Sequence, residues 1–197
     1  ESRVRVLAMK LQLPLLPLHF IRRDQVIAKL EKACHAQFYV FEAAAGYGKS
    51  LSLAQWLHQK KQHKEAVAWL TLDPKENDPF RLLTYLICAI HSADNKSVQK
   101  TLKALEDAKP IDEIVTLLHL ELAAIYHVLH IALDDIHHIR SEESLELIEQ
   151  LVAHTPQNLK IYFTATSLFP IDMSRAIGQG KCVFISEHDL AVNKEET

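Results

Sequence analysis

Apolar residues recur along this chain in two rhythms. Short dense runs rich in aromatic and β-branched residues, at 37–42, 66–72, 128–133, 159–164 and 181–185, read as buried strands, and the third of them ends on Asp134-Asp135. Between these runs apolar positions return at helical spacing. Over 50–59 they are Leu51, Leu53, Ala54 and Leu57. Asp78 and Pro79 open the next helix, because Asp caps free amides and Pro suits the first helical position, and Leu82, Leu83, Leu86, Ile87 and Ile90 give that helix one apolar face. A polar joint over 92–100 leads to a short helix at 102–108 and a longer one at 111–125; a further helix over 141–154 stops before Pro156. Strands separated by helical stretches predict an α/β domain with a mainly parallel five-stranded sheet covered on both faces. No internal repeat or low-complexity stretch interrupts 20–190, so one domain accounts for the chain.

Composition narrows the function classes. The 197 residues, 48% hydrophobic and 24% charged, suit one soluble domain of ordinary size with a sizeable core. Lys and Arg number 22 against 25 Asp and Glu, a net charge of −3, and basic clusters are as short as Lys60-Lys61. A protein that neutralises many phosphates needs a basic excess, so no direct DNA binding by this chain is expected. The cysteines, Cys34, Cys88 and Cys182, are odd in number and lack CxxC spacing, which predicts buried thiols in a reducing compartment rather than disulfides or zinc. Pro14 and Pro17 break the apolar run near the start, and no long apolar segment follows, so a cytoplasmic protein with no membrane partner is expected.

Glycine carries the first chemical signal. Only four are present, and Gly46 and Gly48 stand two residues apart between a strand and a helix. The loop Ala43-Ala44-Ala45-Gly46-Tyr47-Gly48-Lys49-Ser50 matches the phosphate-loop pattern G-x-x-x-x-G-K-S/T everywhere except its first position, where Ala43 replaces Gly. Backbone amides wrap a phosphate only where no side chain blocks the approach, and the glycines leave that space. Lys49 would then place an ammonium on the outer phosphates, Ser50 a hydroxyl on Mg²⁺, and the helix amino terminus its dipole. Such a loop needs a carboxylate at the end of a neighbouring strand to hold Mg²⁺, a place that Asp134 takes; the adjacent Asp135 could orient the attacking water or act as general base. His127 and His130 precede this acidic pair while His137 and His138 follow it, so convergence of the four on a zinc ion is not expected. No G-x-S-x-G is present. Together these features predict the three-layer sandwich of a P-loop NTPase, with ATP/ADP and Mg²⁺ as cofactors.

Several blocks in order resemble one family. Leu13-Pro14 through His19-Phe20-Ile21-Arg22-Arg23, the run from Ala43 to Leu57 (close to APAGYGKTTLLAQWL), Ala68-Trp69-Leu70-Thr71-Leu72-Asp73 with Asn77-Asp78-Pro79 and Arg81, and Leu133-Asp134-Asp135-Ile136-His137 (close to a strand ending in DDYH) are similar to the nucleotide-binding domain, of NB-ARC/AAA-like type, of STAND-class P-loop ATPases. The match is to large LuxR-type ATP-dependent transcriptional regulators of the maltose-activator type. The resemblance implies that Arg23 lies near bound nucleotide, that Ala45, Gly46, Tyr47, Gly48, Lys49, Ser50 and Leu51 form its cradle, that Ser50 and Asp134 serve Mg²⁺, and that Asp135 serves water. The family usually carries T-S-R after the fourth strand, its arginine sensing the terminal phosphate; here Thr164-Ala165-Thr166-Ser167 puts Thr166 in that place. Thr donates one hydrogen bond and carries no charge, so binding with weak or no hydrolysis is expected. The implied organisation is a lead-in over 1–20, a nucleotide-binding domain over 21–190 and, at 191–197, the start of a following region, in a switch that works through self-association or other domains of a longer regulator. Two other readings stay open: a small P-loop phosphotransferase, disfavoured by only seven scattered arginines, and a degenerate P-loop domain kept for protein contacts.

Overall fold

The structure is a computed structural model that describes residues 6–191. Five strands, β1 (Phe38–Glu42), β2 (Ala66–Thr71), β3 (Leu129–Asp134), β4 (Leu159–Ala165) and β5 (Cys182–Ile185), form one all-parallel sheet in the order β2-β3-β4-β1-β5. The helices are α1 (Asp24–Lys32), α2 (Lys49–Gln62), α3 (Pro79–Ala93), α4 (Gln99–Glu106), α5 (Ile111–Ala123), α6 (Glu142–Ala153), α7 (Ser174–Gly178) and α8 (Glu187–Leu190). Side chains alternate faces along a strand, and here each face has its own core. Phe38, Val40, Leu70, Ile131, Leu133, Ile161 and Phe163 pack against α3 to α6. On the other face, Tyr39, Phe41, Trp69, Ala132 and Tyr162 pack against α1, α2 and α8. All six residues of β3 are buried, which is why the strand is apolar apart from His130 and the terminal Asp134.

All five predicted strands form within a residue or two of the expected places, and the sheet is parallel throughout. Three helices, α1, α7 and α8, are additions, the last two being short. At five and four residues, α7 and α8 are too brief to show a period.

The lead-in is fastened to the domain. A 3-10 turn at Ala8–Leu11 sends Lys10 inward, where its ammonium meets Asp73 Oδ2 at 2.9 Å and Glu76 Oε2 at 2.5 Å and lies over the Tyr85 ring. The Glu76 side chain is fully buried; it also accepts from Arg81 Nε at 3.1 Å and from the Asp73 amide at 2.8 Å, closing a capping box on the 3-10 turn Pro74–Asn77. Of the expected following region, only residue 191 lies within the described residues.

A buried polar group sits on the α2 face. Tyr162 OH receives Trp56 Nε1–H at 3.1 Å and meets His130 Nδ1 at 2.9 Å, while His130 Nε2 meets Glu65 and the Tyr39 ring stacks on Tyr162. Burial holds the His130 imidazole below its ordinary pKa, against the pull of Glu65. His127 pairs instead with Asp94 at 2.8 Å, so the first two histidines of the sequence cluster go separate ways.

Candidate nucleotide-binding site

In a parallel sheet all strand carboxyl ends lie on one side, so the residues that follow β1, β3 and β4 share an edge. The order β3-β4-β1 places the Ala43–Ser50 loop one strand away from Asp134, with β4 between them. The loop leaves β1 anchored by the Ala43 amide on Ala165 O at 3.2 Å. It then turns through two left-handed glycines, Gly46 at φ 89° and Gly48 at φ 72°, and enters α2 with no side-chain cap. The first amides of α2 therefore remain open to an anion, with the helix dipole behind them.

Lys49 is buried and folds back so that Nζ donates to Ala44 O at 3.0 Å. Burial lowers its pKa; the carboxylates of Asp135, Asp134 and Glu187 act the other way. Ser50 Oγ donates to Asp134 Oδ1 at 2.6 Å, joining the loop to the end of β3. The same Oδ1 receives the Thr164 hydroxyl at 2.6 Å, and Oδ2 lies 3.4 Å from the Thr71 hydroxyl. Burial raises the Asp134 pKa, Asp135 adds to the rise, and the three hydroxyls oppose it. A buried carboxylate surrounded by hydroxyl donors, with an ammonium nearby, is a donor set that suits Mg²⁺ beside phosphate.

Asp135 turns the chain sharply, adopting φ 61°, and its amide donates to Thr164 Oγ1 at 2.8 Å. The 3-10 turn Ile136–His138 follows, and His137 Nδ1 accepts the Thr166 amide at 3.2 Å. Asn77 holds this turn from behind. Its Nδ2 donates to Pro74 O at 2.8 Å and His138 O at 2.9 Å, and its Oδ1 accepts the amides of Arg140 at 2.6 Å and Ser141 at 2.8 Å.

Arg23 ends up against the loop. A Cβ added at Gly48 would lie 3.4 Å from Arg23 Nη2, an ordinary contact, so it is the left-handed backbone that calls for this glycine, while the distance places the guanidinium beside the loop. The Arg23 amide donates to Gln55 Oε1 at 3.1 Å, which leaves Gln55 Nε2 as a donor. That nitrogen, together with Arg23 Nε and Nη1, is buried with no hydrogen-bond partner among the described residues. Unpaired buried donors are costly, and a set of them beside a phosphate-type loop fits an acceptor-rich ligand such as a nucleotide.

The structure thus brings Lys49, Ser50, Asp134 and Asp135 to one edge, sets Arg23 beside Gly48, and ties Thr166 in through His137. Ala45 and Tyr47 are exposed on the loop, and Leu51 is half-buried in the first turn of α2. Four participants were missed. Thr71 and Thr164 were readable as hydroxyls at strand carboxyl ends, Thr71 lying in register with Asp134. Gln55 and Glu187 left no local signal; Glu187 Oε1 accepts the Ala44 amide at 2.9 Å from 143 residues away. A hollow of about 280 Å³, lined in part by Phe38, Arg175 and Lys181, lies at the amino ends of β1 and β5, away from the loop, and takes no part in this site.

Comparison with known proteins agrees with the geometry. No protein-family model matches the chain. Over 180 residues, 90% of its length, it is 30% identical to a protein of Vibrio parahaemolyticus named HTH-type transcriptional regulator MalT, and 29% identical over 179 residues to the protein of that name from Vibrio campbellii. The chain spans 19% of the length of each. Among solved structures it is similar to a Walker-type ATPase of Pyrococcus abyssi, with a TM-score of 0.56 and 15% identity over 92% of this chain and 57% of that one. It is also similar to the Aeropyrum pernix ORC1 protein, solved in complex with DNA, with a TM-score of 0.54 and 14% identity over 88% of this chain and 46% of that one. The chain has the P-loop ATPase fold, and its resemblance to regulators of the MalT type extends over nine tenths of its length.

Proposed function

We propose that this chain is the ATP/ADP-binding switch part of a signal-responsive transcriptional regulator of the LuxR and STAND type, acting in the cytoplasm with weak or no hydrolysis of its own. The observation that carries the reading is the Ser50–Asp134 hydrogen bond at 2.6 Å, which couples a glycine loop to a buried strand-end carboxylate with Lys49 alongside. In this reading the domain over 21–190 holds the nucleotide. The amides of 46–51 cradle phosphates, Ser50 and Asp134 hold Mg²⁺, Asp135 orients water, and Arg23 with Gln55 fills its vacant donor capacity on the nucleotide. Mg²⁺ supplies charge neutralisation between the phosphates when bound. A nucleotide biases such a switch only through contacts that differ between its two states, and self-association or neighbouring domains of a longer regulator read the difference. DNA binding and inducer sensing would belong to those other parts.

The test is thermal melting of the chain with Mg²⁺-ATP or Mg²⁺-ADP, with and without Lys49→Ala. A site filled at 100 times its dissociation constant adds about 2.7 kcal/mol, enough to raise the midpoint by several degrees. The expected result is such a rise with at least one nucleotide and none in Lys49→Ala. An unmoved midpoint with both nucleotides overturns the reading and favours a domain kept for protein contacts.

A further inference from the structure

The edge formed by β3 and β4 holds a histidine that the proposed nucleotide binding does not use. The left-handed backbone of Asp135 swings the 3-10 turn Ile136–His138 across the carboxyl ends of these strands, which sets the His137 ring over the loop that follows β4. There Nδ1 accepts the Thr166 amide at 3.2 Å. A ring nitrogen that accepts an N–H carries no proton itself, so the neutral imidazole holds its proton on Nε2. Nε2 makes no hydrogen bond to any described residue. Burial, His138 and the Lys49 ammonium favour the neutral ring, Asp134 opposing, so the group offers one directed N–H rather than a charge.

What else this edge offers an anion is limited. Asp134 and Asp135 repel it. The Thr164 hydroxyl is committed to Asp134 and to the Asp135 amide, and the Thr166 amide is committed to His137. The loop amides and Lys49 approach from the β1 side. A triphosphate bound on that loop would carry one more anionic group than a diphosphate, and His137, close enough to feel both Lys49 and Asp134, is placed to meet it.

We propose that His137 is the residue that distinguishes a nucleoside triphosphate from a diphosphate, donating through Nε2–H to the terminal phosphate while Thr166 fixes its tautomer. This deepens the nucleotide-binding reading and rests on it.

The test is calorimetric titration of the chain and of two variants with Mg²⁺-ATP and Mg²⁺-ADP. His137→Phe keeps a ring and removes both nitrogens. His137→Gln keeps an oxygen to accept the Thr166 amide and an N–H to donate. Loss of one such hydrogen bond to a charged group is worth about tenfold in affinity, so His137→Phe is expected to weaken ATP by about tenfold and ADP by less than about twofold, with His137→Gln close to the parent for both. Equal weakening of ATP and ADP in His137→Phe, or no change in either, overturns the assignment while leaving nucleotide binding intact. Binding of neither nucleotide by the parent chain removes the site reading and this inference together. If His137→Phe fails to fold, ¹⁵N chemical shifts of the His137 ring, assigned by comparison with His137→Gln, decide. A protonated Nε2 that shifts on addition of ATP and not of ADP is expected, and a proton on Nδ1 or identical shifts with both nucleotides overturns the proposal.

Discussion

Glu76→Ala is expected to lower the unfolding free energy by about 3–5 kcal/mol, because it strips the counter-charge from a buried cation. The carboxylate is fully buried and serves three donors at once: Lys10 Nζ, Arg81 Nε and the Asp73 amide. Arg81 retains some access to water, and Lys10 keeps Asp73, whose own side chain is partly exposed. The Lys10 side chain, 9% exposed, has no comparable escape. Alanine leaves a cavity in place of the carboxylate and an amide without its acceptor, so the desolvation already spent on Lys10 is no longer offset. Urea unfolding measures the difference. The double substitution Lys10→Met with Glu76→Leu separates the charge from the packing, because removing both ions together leaves only Arg81, which keeps some access to water, without its carboxylate. It is expected to recover most of the loss. A cost below about 1 kcal/mol for Glu76→Ala would show that the lead-in is held by its apolar contacts instead.

Asp134→Asn is expected to move stability and binding in opposite directions. The native carboxylate has a raised pKa, chiefly through burial. A group whose native pKa exceeds its unfolded value contributes fully below the unfolded value, and that contribution is lost as pH rises through the native one. Holding Asp134 ionised at neutral pH therefore burdens the nucleotide-free protein. Asn fits the same pocket: its oxygen can accept the hydroxyls of Ser50 and Thr164, and its amide can donate to the Thr71 hydroxyl, which already receives Trp69 Nε1–H at 2.9 Å. Without nucleotide, the variant is expected to gain on the order of 1 kcal/mol at pH 7, the gain shrinking as the pH is lowered toward the unfolded value. With Mg²⁺-ATP the order reverses, since the lost carboxylate is expected to weaken Mg²⁺-dependent binding by about 10–100-fold. Melting curves at two pH values with and without Mg²⁺-ATP report both effects. A variant that is less stable than the parent without nucleotide would contradict the burden assigned to Asp134.

The same burial explains what sequence reading reached. Strands covered on both faces are apolar runs with no polar alternation, so 37–42 and 128–133 announced themselves, and a parallel sheet sends the residues after every strand to one edge. Given the glycine loop, the edge positions of Lys49, Ser50, Asp134 and Asp135 followed from topology alone. Helix α1 was within reach, since Val26, Ile27 and Leu30 return at helical spacing, but three large apolar residues in nine are a thin signal beside charged neighbours. Lys10 reads as an ordinary surface lysine, because nothing local says that Glu76 waits 66 residues away. Gln55 sits in a helix stretch that already looked complete as an apolar face. Contacts of this kind depend on the packing of whole layers, and single-residue chemistry carries no trace of them.

The Asn77 side chain spends its full hydrogen-bonding capacity, two protons given and two accepted, on four backbone groups spread over three segments. One of those protons lies on the His138 carbonyl, at the end of the turn that carries Asp135 and His137. Solvent deuterium cannot replace it until that turn lifts away, so the exchange rate of a carboxamide outside the nucleotide edge is a clock for how often the edge comes apart.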